Sequence, residues 1–297
     1  MNFFRFNLAA IITLILVGCN KDEEIIDGDW EPDPPVLGYE VMEYIPAPGQ
    51  YINDIVTGFD NINTQEEACE YATQRFYKNL YVSLGAWGGY IIVKFDQSVE
   101  NTGDYDFAIG SNSFTTSNEP GIVWVMQDEN HNGKADDTWY ELRGSHFGEE
   151  GYERNYWVKY SRPEAKSDTP WIDSNGETGL IYWVGNYHSQ DFYYPNWIKE
   201  DSYTLYGSRL PQQAIQNPET GEWTNLPFDW GYADNMGLDF LESYHFNRFK
   251  ISDAVTADNL HIDIPHIDFI KVQTAINGSA GWLGENSTEI TGFFILN

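Results

Sequence analysis

From Tyr90 to the last residues the chain keeps returning to one pattern: short runs of aromatic and β-branched residues bounded by Gly, Pro, Asn and Asp. Such runs occur at residues 90–95, 106–109, 122–126, 138–142, 156–160, 180–184, 203–206, 246–251, 267–274 and 289–296. Their length and turn-forming borders mark them as strands. No helix of crossover length separates them, so a parallel sheet is disfavoured. The pattern predicts an all-β fold, an antiparallel jelly-roll-like β-sandwich with long loops. No repeat of fixed period is present, which argues against a propeller. One short N-terminal helix is expected. In Thr64-Gln65-Glu66-Glu67 the Thr hydroxyl can accept from the amide of Glu67 while the Glu67 carboxylate reaches back to the amide of Thr64. That helix should run to about Leu80 and carry Cys69 as a free thiol or small core residue.

Charge narrows the partners. Lys and Arg total 16 against 46 Asp and Glu, a net charge of −30, which repels polyanions and argues against nucleic acid. The chain is nevertheless 41% hydrophobic with 11 Trp, 20 Tyr and 17 Phe, too much apolar surface for a disordered acidic protein. Cys19 and Cys69 form no disulfide framework and no zinc spacing. Residues 161–235, with Pro163, Pro170, Pro195, Pro211, Pro218 and Pro227, read as loop-rich. Long loops on a β scaffold bind a ligand or close an edge.

The N-terminus carries an address. Residues 1–18 hold one charge, Arg5, and an apolar run from Leu8 to Val17 that is too short for a stable membrane span. It ends in Leu16-Val17-Gly18-Cys19, which resembles a bacterial lipobox, so Cys19 is expected to be acylated. Asn20-Lys21-Asp22-Glu23-Glu24 is similar to the acidic export tag of surface lipoproteins of the Bacteroidota. The expected organisation is a signal peptide over 1–18, an acylated, acidic and Pro-rich tether over 19–36, and one β-sandwich ligand-binding domain over 37–297. The expected location is the outer membrane, lipid-anchored and facing the exterior.

One stretch has metal-loop spacing. Asp128, Asn130, Asn132, Lys134 and Asp136 fall at alternate positions around Gly133, so side-chain oxygens and the Lys134 carbonyl can face one hard cation. The twelfth position is Trp139 where an EF-hand needs a bidentate Glu, and the flanking runs are strands. The expectation is a structural calcium ion between strands, with Asp137 and Glu141 in reserve.

Aromatic residues crowd the expected loops: Trp171, Trp183, Tyr187, Phe192, Tyr193, Tyr194 and Trp197, then Trp223, Trp230 and Tyr232, and near the end Trp282. Flat faces with Asn, Asp and Gln neighbours suit sugars or large planar ligands. Catalytic patterns are weak. The histidines lie apart, with no HExxH spacing and no nucleophile elbow. Pairs such as Asp136 with Asp137, or Glu285 with Glu289, make a glycosidase dyad only if the fold sets their separation. No catalytic residue is assigned, and His188 is the best functional histidine.

A resemblance adds a ligand. Residues 82–96, containing Trp87-Gly88-Gly89-Tyr90, and 104–114, containing Asp104-Tyr105-Asp106-Phe107, open a series of blocks. It continues through Pro120-Gly121-Ile122-Val123-Trp124, the 128–137 loop, Thr138-Trp139-Tyr140-Glu141-Leu142, Asp268-Phe269-Ile270-Lys271-Val272 and Gly281-Trp282-Leu283-Gly284-Glu285. Together the blocks resemble Bacteroidota cell-surface lipoproteins, often labelled PKD-domain or cell surface proteins, encoded beside cobalamin-uptake receptors. No separate PKD module is present. The resemblance implies capture of a corrinoid, or service to a TonB-dependent transporter in the outer membrane, without catalysis. On that reading Tyr193, Trp197, Trp230 and Tyr232 would meet the corrinoid's faces and His188 would approach cobalt. Two other readings use the same residues: a glycan-binding lipoprotein of a polysaccharide-uptake system, and a calcium-stabilised glycoside hydrolase or lyase.

Overall fold

The computed structural model describes residues 38–59, 61–281 and 284–296, within one compact unit spanning Pro35–Asn297. The expected signal peptide and tether, with Cys19, and Trp282 lie outside the described residues. In chain order the elements are β1 (Tyr39–Ile45), α1 (Gln65–Tyr77), β2 (Val82–Ser83), β3 (Tyr90–Glu100), β4 (Phe107–Ser111), β5 (Gly121–Met126), β6 (Trp139–Leu142), β7 (Glu153–Ser161) and β8 (Thr169–Asp173). There follow β9 (Thr178–Ile181), β10 (Ser202–Arg209), β11 (Ala214–Gln216), β12 (Trp223–Asn225), β13 (Phe240–Leu241), β14 (Phe246–Phe249), β15 (Ala254–Val255), β16 (His266–Thr274) and β17 (Glu289–Ile295).

The fold is the expected all-β sandwich. One layer has the order β1-β3-β16-β5-β6-β15 and the other β13-β14-β4-β17-β2, every pairing antiparallel. The chain alternates between the layers from β1 to β5, the crossover habit of a jelly roll. Ile91, Val93 and Phe95 of β3 point into the main core with Phe107 and Ile109 of β4 and Ile290 and Phe293 of β17. The intervening Ile92 points the other way, onto Met126 and Phe269. A strand with apolar residues on both faces is covered on both, and each such side chain contributes about 1.5–3 kcal/mol by burial.

The helix forms as its cap predicts. Thr64 Oγ1 accepts the Glu67 amide at 3.2 Å and Glu67 Oε2 accepts the Thr64 amide at 3.2 Å. Ala68, Ala72 and Phe76, spaced one turn apart, bury against the sandwich, with Phe76 edge-on to Phe293.

The loop-rich reading of 161–235 is corrected by a third sheet, β10-β7-β8-β9, and a hairpin, β11-β12. Thr169–Asp173 does not read as a strand in sequence because Pro170 lies within it and its buried residues are the polar Thr169 and Asp173, while Ile172 is exposed. Tyr156, Val158, Tyr160 and Leu205 of this sheet pack on Ala86 and Trp87 in the β2–β3 turn. That turn admits no larger residue: Gly85 has φ +69°, and a side chain there would strike the Ala47 carbonyl at 2.0 Å. The β9–β10 connection is thereby held beside the segment that follows β1.

Candidate functional site

Two segments without strand structure are laced together by amides. Asn53 Nδ2 donates to the carbonyls of Phe192 and Tyr194 at 2.9 and 2.8 Å. Gln190 Nε2 donates to the carbonyls of Gln50 and Ile52 at 2.7 and 2.8 Å. Buried carbonyls need donors, and these two side chains supply them across more than a hundred residues of sequence.

The laced segments frame a cleft of about 960 Å³ lined by Gln50, Tyr51, Trp183, Asn186, Tyr187 and His188, among others. Tyr187 is 86% exposed. The Trp183 indole is held by donating to the Gln190 carbonyl at 2.9 Å, and Tyr51 meets the His188 ring edge-on at 4.7 Å. Burial lowers the His188 pKa, opposed by Asp54, whose Oδ2 lies 3.8 Å from Nδ1. Burial prevails, so the imidazole favours its neutral, metal-ligating form.

Gln50 and Tyr51 also line a smaller chamber, about 160 Å³, with Glu119, Asp234, Glu285 and Glu289 in its wall. Glu119 ends the β4–β5 connection, Asp234 lies between β12 and β13, Glu285 precedes β17, and Glu289 opens it. Asp234 Oδ1 accepts the Asn112 amide at 3.1 Å and the Ser111 hydroxyl at 3.1 Å. Glu289 Oε2 accepts Asn112 Nδ2 at 2.5 Å, and Glu285 Oε1 accepts the Gln50 amide at 2.7 Å. Glu119 Oε1 accepts the Ser287 amide at 3.3 Å. Among the described residues, no Lys or Arg lines the chamber. Burial pushes Asp234 and Glu285 up to about 7. Burial and then the neighbouring Asp234 push Glu289 up to about 8. Burial and then Glu289 raise Glu119 well above the usual carboxylate range.

Sequence reasoning had no hold on Glu119 and Asp234, and it named Glu285 and Glu289 only as a pair of unknown separation. The signal in the sequence is the unbroken polar run Glu285-Asn286-Ser287-Thr288-Glu289, and the structure buries all five residues. A buried polar run implies partners or a ligand.

The residues expected to hold the ligand do not come together. Of the five, His188 lines the cleft. Tyr193 is 1% exposed, behind the wall, its hydroxyl donating to the His188 carbonyl at 3.0 Å and accepting the Val184 amide at 3.1 Å. Trp197 is buried, stacked on Phe59 at 5.6 Å with its indole donating to Gln65. Tyr232 is buried against Phe228. Tyr193, Trp197 and Tyr232 are therefore core side chains, and their assignment as ligand contacts is corrected. Trp230 lines a separate cavity of about 340 Å³ with Arg143, Asp239 and Arg248.

The 128–137 loop joins β5 to β6. Asp128 Oδ1 and Oδ2 accept the amides of Asn132 and Gly133 at 3.1 and 2.9 Å, and Asn132 Oδ1 accepts the Lys134 amide at 2.8 Å. Asn130 Oδ1 accepts the Asn132 amide at 3.0 Å, and Asn132 Nδ2 donates to Asp136 Oδ1 at 3.1 Å. Gly133 takes the positive φ, +73°, that the tight turn requires. Among the described residues, no three His, Cys, Asp or Glu side chains converge on one ion position. The loop's donor set is carboxylate, amide and carbonyl oxygen, the chemistry a hard cation takes.

No protein-family model matches this chain, and no curated protein is similar to it.

Proposed function

We propose that this chain is a non-catalytic capture protein that holds a bulky nutrient in the cleft beside Tyr51, Trp183, Tyr187 and His188. The nutrient is a corrinoid, and the capture serves a TonB-dependent transporter. The observation that carries the reading is the cleft itself, about 960 Å³ with exposed aromatic faces and a neutral imidazole in its wall. A cavity of that size lies at the upper end of the range that buries most of a drug-sized ligand, so it can take a substantial part of a larger one, and aromatic walls add contact area at low entropic cost. A tether through acylated Cys19 would keep the captured solute at the outer-membrane surface, where high local concentration replaces diffusion from bulk. The 128–137 loop is part of the same proposal, as a calcium staple between β5 and β6.

Titration with cyanocobalamin, followed by tryptophan quenching, tests it. Saturable quenching weakened by Tyr187→Ala is expected; a flat trace would remove the corrinoid reading.

A second reading draws on the chamber, where Glu285 and Glu289 share one wall beside aromatic platforms. Retention on a glycan gel would favour a glycan binder. Turnover of a reducing-end substrate, abolished by Glu285→Gln or Glu289→Gln, would favour a glycoside hydrolase.

A further inference from the structure

The cavity beside Trp230, separate from the cleft and the chamber, concentrates positive charge in an acidic chain. The sequence has 16 Lys and Arg against 46 Asp and Glu, yet Arg143, Arg248 and Lys250 all line this space of about 340 Å³. Arg143 follows β6, while Arg248 and Lys250 stand two positions apart on extended backbone at the end of β14, which turns both to one side. Tyr105 holds that pair, its ring centroid 4.2 Å from Arg248 Cζ and 4.8 Å from Lys250 Nζ. Among the described residues two carboxylates share the wall, Asp239 and Asp253. Asp239 is committed to the protein: Oδ2 accepts the Gly231 amide at 2.7 Å and Oδ1 accepts Asn247 Nδ2 at 3.4 Å. Asp253 Oδ1 stands 3.7 Å from Arg143 Nη2, beyond hydrogen-bond distance. Burial raises both acids, Asp239 to about 6, which weakens their hold on the cations. No hydrogen bond ties the Arg143 guanidinium to a described residue, and its side chain is 42% exposed. Arg248 donates through Nε to the Asp239 carbonyl at 3.3 Å. Lys250 pairs at 3.3 Å with Asp104, whose side chain is 79% exposed, so water screens that pair.

An apolar platform adjoins the cations. The Trp230 carbonyl accepts the Ser145 amide at 2.9 Å, and the Trp230 amide donates to the Ser145 hydroxyl at 3.3 Å. Gly231 has φ +90°, and a Cβ there would lie 2.4 Å from Gly144 Cα, so the two backbones are in contact. On this fixed turn the Trp230 residue is 36% exposed, and Leu238, in the same wall, is 82% exposed. A rigidly held aromatic face loses little freedom when a ligand covers it. We propose that this cavity is a second binding site, for a small organic oxyanion whose carboxylate or phosphate head meets Arg143, Arg248 and Lys250 and whose flat apolar body rests on Trp230 and Leu238. The proposal stands independently of what the cleft binds. Three bases against two acids leave the wall with surplus positive charge, which an oxyanion cancels, and guanidinium forks match the paired oxygens of either head. The chain's net charge of −30 repels such a ligand at long range, but salt screens that field beyond about 8 Å, whereas the forks act at contact. The volume suits a small molecule and not a polymer.

Isothermal titration of the full chain with phenyl phosphate, phenylacetate and neutral benzyl alcohol, at fixed ionic strength, tests it. At least one of the two anions should bind saturably and one-to-one with a Kd of about 1 mM or below, at least about tenfold tighter than benzyl alcohol. The tighter anion identifies the head. Arg143→Gln and Trp230→Ala should each weaken that anion by about tenfold or more, the first through the head and the second through the body. Tyr187→Ala, in the wall of the cleft, should leave it unchanged. Arg248→Gln is the second charge variant should Arg143→Gln fold poorly, and it should produce the same loss. Three results would overturn the proposal: no saturable heat from either anion, anion binding that survives the arginine substitutions, or inorganic phosphate or acetate binding as tightly as its phenyl counterpart.

Discussion

Asp234 Oδ2 accepts the backbone N–H of Glu289 at 2.8 Å, which fixes two acids of the same chamber side by side at the start of β17. The bond holds the 226–239 loop to the sandwich, and it also holds two acids together in a space that no basic side chain lines among the described residues. Satisfying the backbone and repelling the side chain are achieved by the same carboxylate.

The pH dependence of stability follows from that arrangement. Asp234 and Glu289 have ordinary values of 3.8 and 4.5 and folded values of about 7 and about 8. A raised folded pKa means that the native state holds its protons more tightly. The resulting stability is fully present below the ordinary values of 3.8 and 4.5 and is lost progressively as pH rises from there through the folded values of about 7 and about 8. Thermal denaturation should therefore show Tm falling over that window. Glu289→Gln, which cannot ionise, should flatten the slope and raise Tm on the alkaline side; an unchanged slope would contradict the burial argument.

The 128–137 loop should respond to calcium. Adding calcium to chelator-treated protein should release heat and raise Tm, because all-oxygen ligands at alternate positions match a hard cation. Asp128→Ala should abolish both effects. It should also cost about 1–3 kcal/mol without metal, since the amides of Asn132 and Gly133 lose their acceptor. Calorimetry showing no heat and no shift in Tm would remove the staple.

Trp197 and Tyr187 should separate packing from binding. Trp197→Ala removes a ring stacked on Phe59 and should destabilise the fold by about 3–5 kcal/mol in urea denaturation. Tyr187→Ala, at an exposed position, should change stability by no more than about 0.5 kcal/mol. In the binding titration the order reverses, with Tyr187→Ala and Trp183→Ala weakening capture. Equal stability losses at positions 187 and 197 would show that the cleft wall is core.

His188 should distinguish corrinoids by their upper ligand. A neutral imidazole can replace the labile water of aquocobalamin more readily than it displaces cyanide. His188→Phe should weaken aquocobalamin by roughly tenfold, about 1.4 kcal/mol, and cyanocobalamin much less. The absorption change on mixing aquocobalamin should disappear in the same variant. Identical losses for both ligands would assign His188 to shape alone.

What the chain states locally came through, because strands and helix caps are short-range physics. The 267–274 run pairs as β16 between β3 and β5, and Thr64 with Glu67 caps α1 within four residues. Side-chain periodicity also placed Ile91, Val93 and Phe95 on one face. Tyr187 and Tyr193 mark the limit. They are the same residue type six positions apart in one connection, one 86% exposed and the other 1%. Their difference is set by Asn53 and Gln190 reaching across from elsewhere or pinning the loop, which no local pattern encodes. The chamber is the stronger case, since Glu119, Asp234, Glu285 and Glu289 meet only after β4, β5 and β17 have taken their places in two layers. An acid in sequence reads as solvated surface. Only the tertiary structure could put four of them around one cavity, because burial is a property of the assembled layers and not of any segment within them.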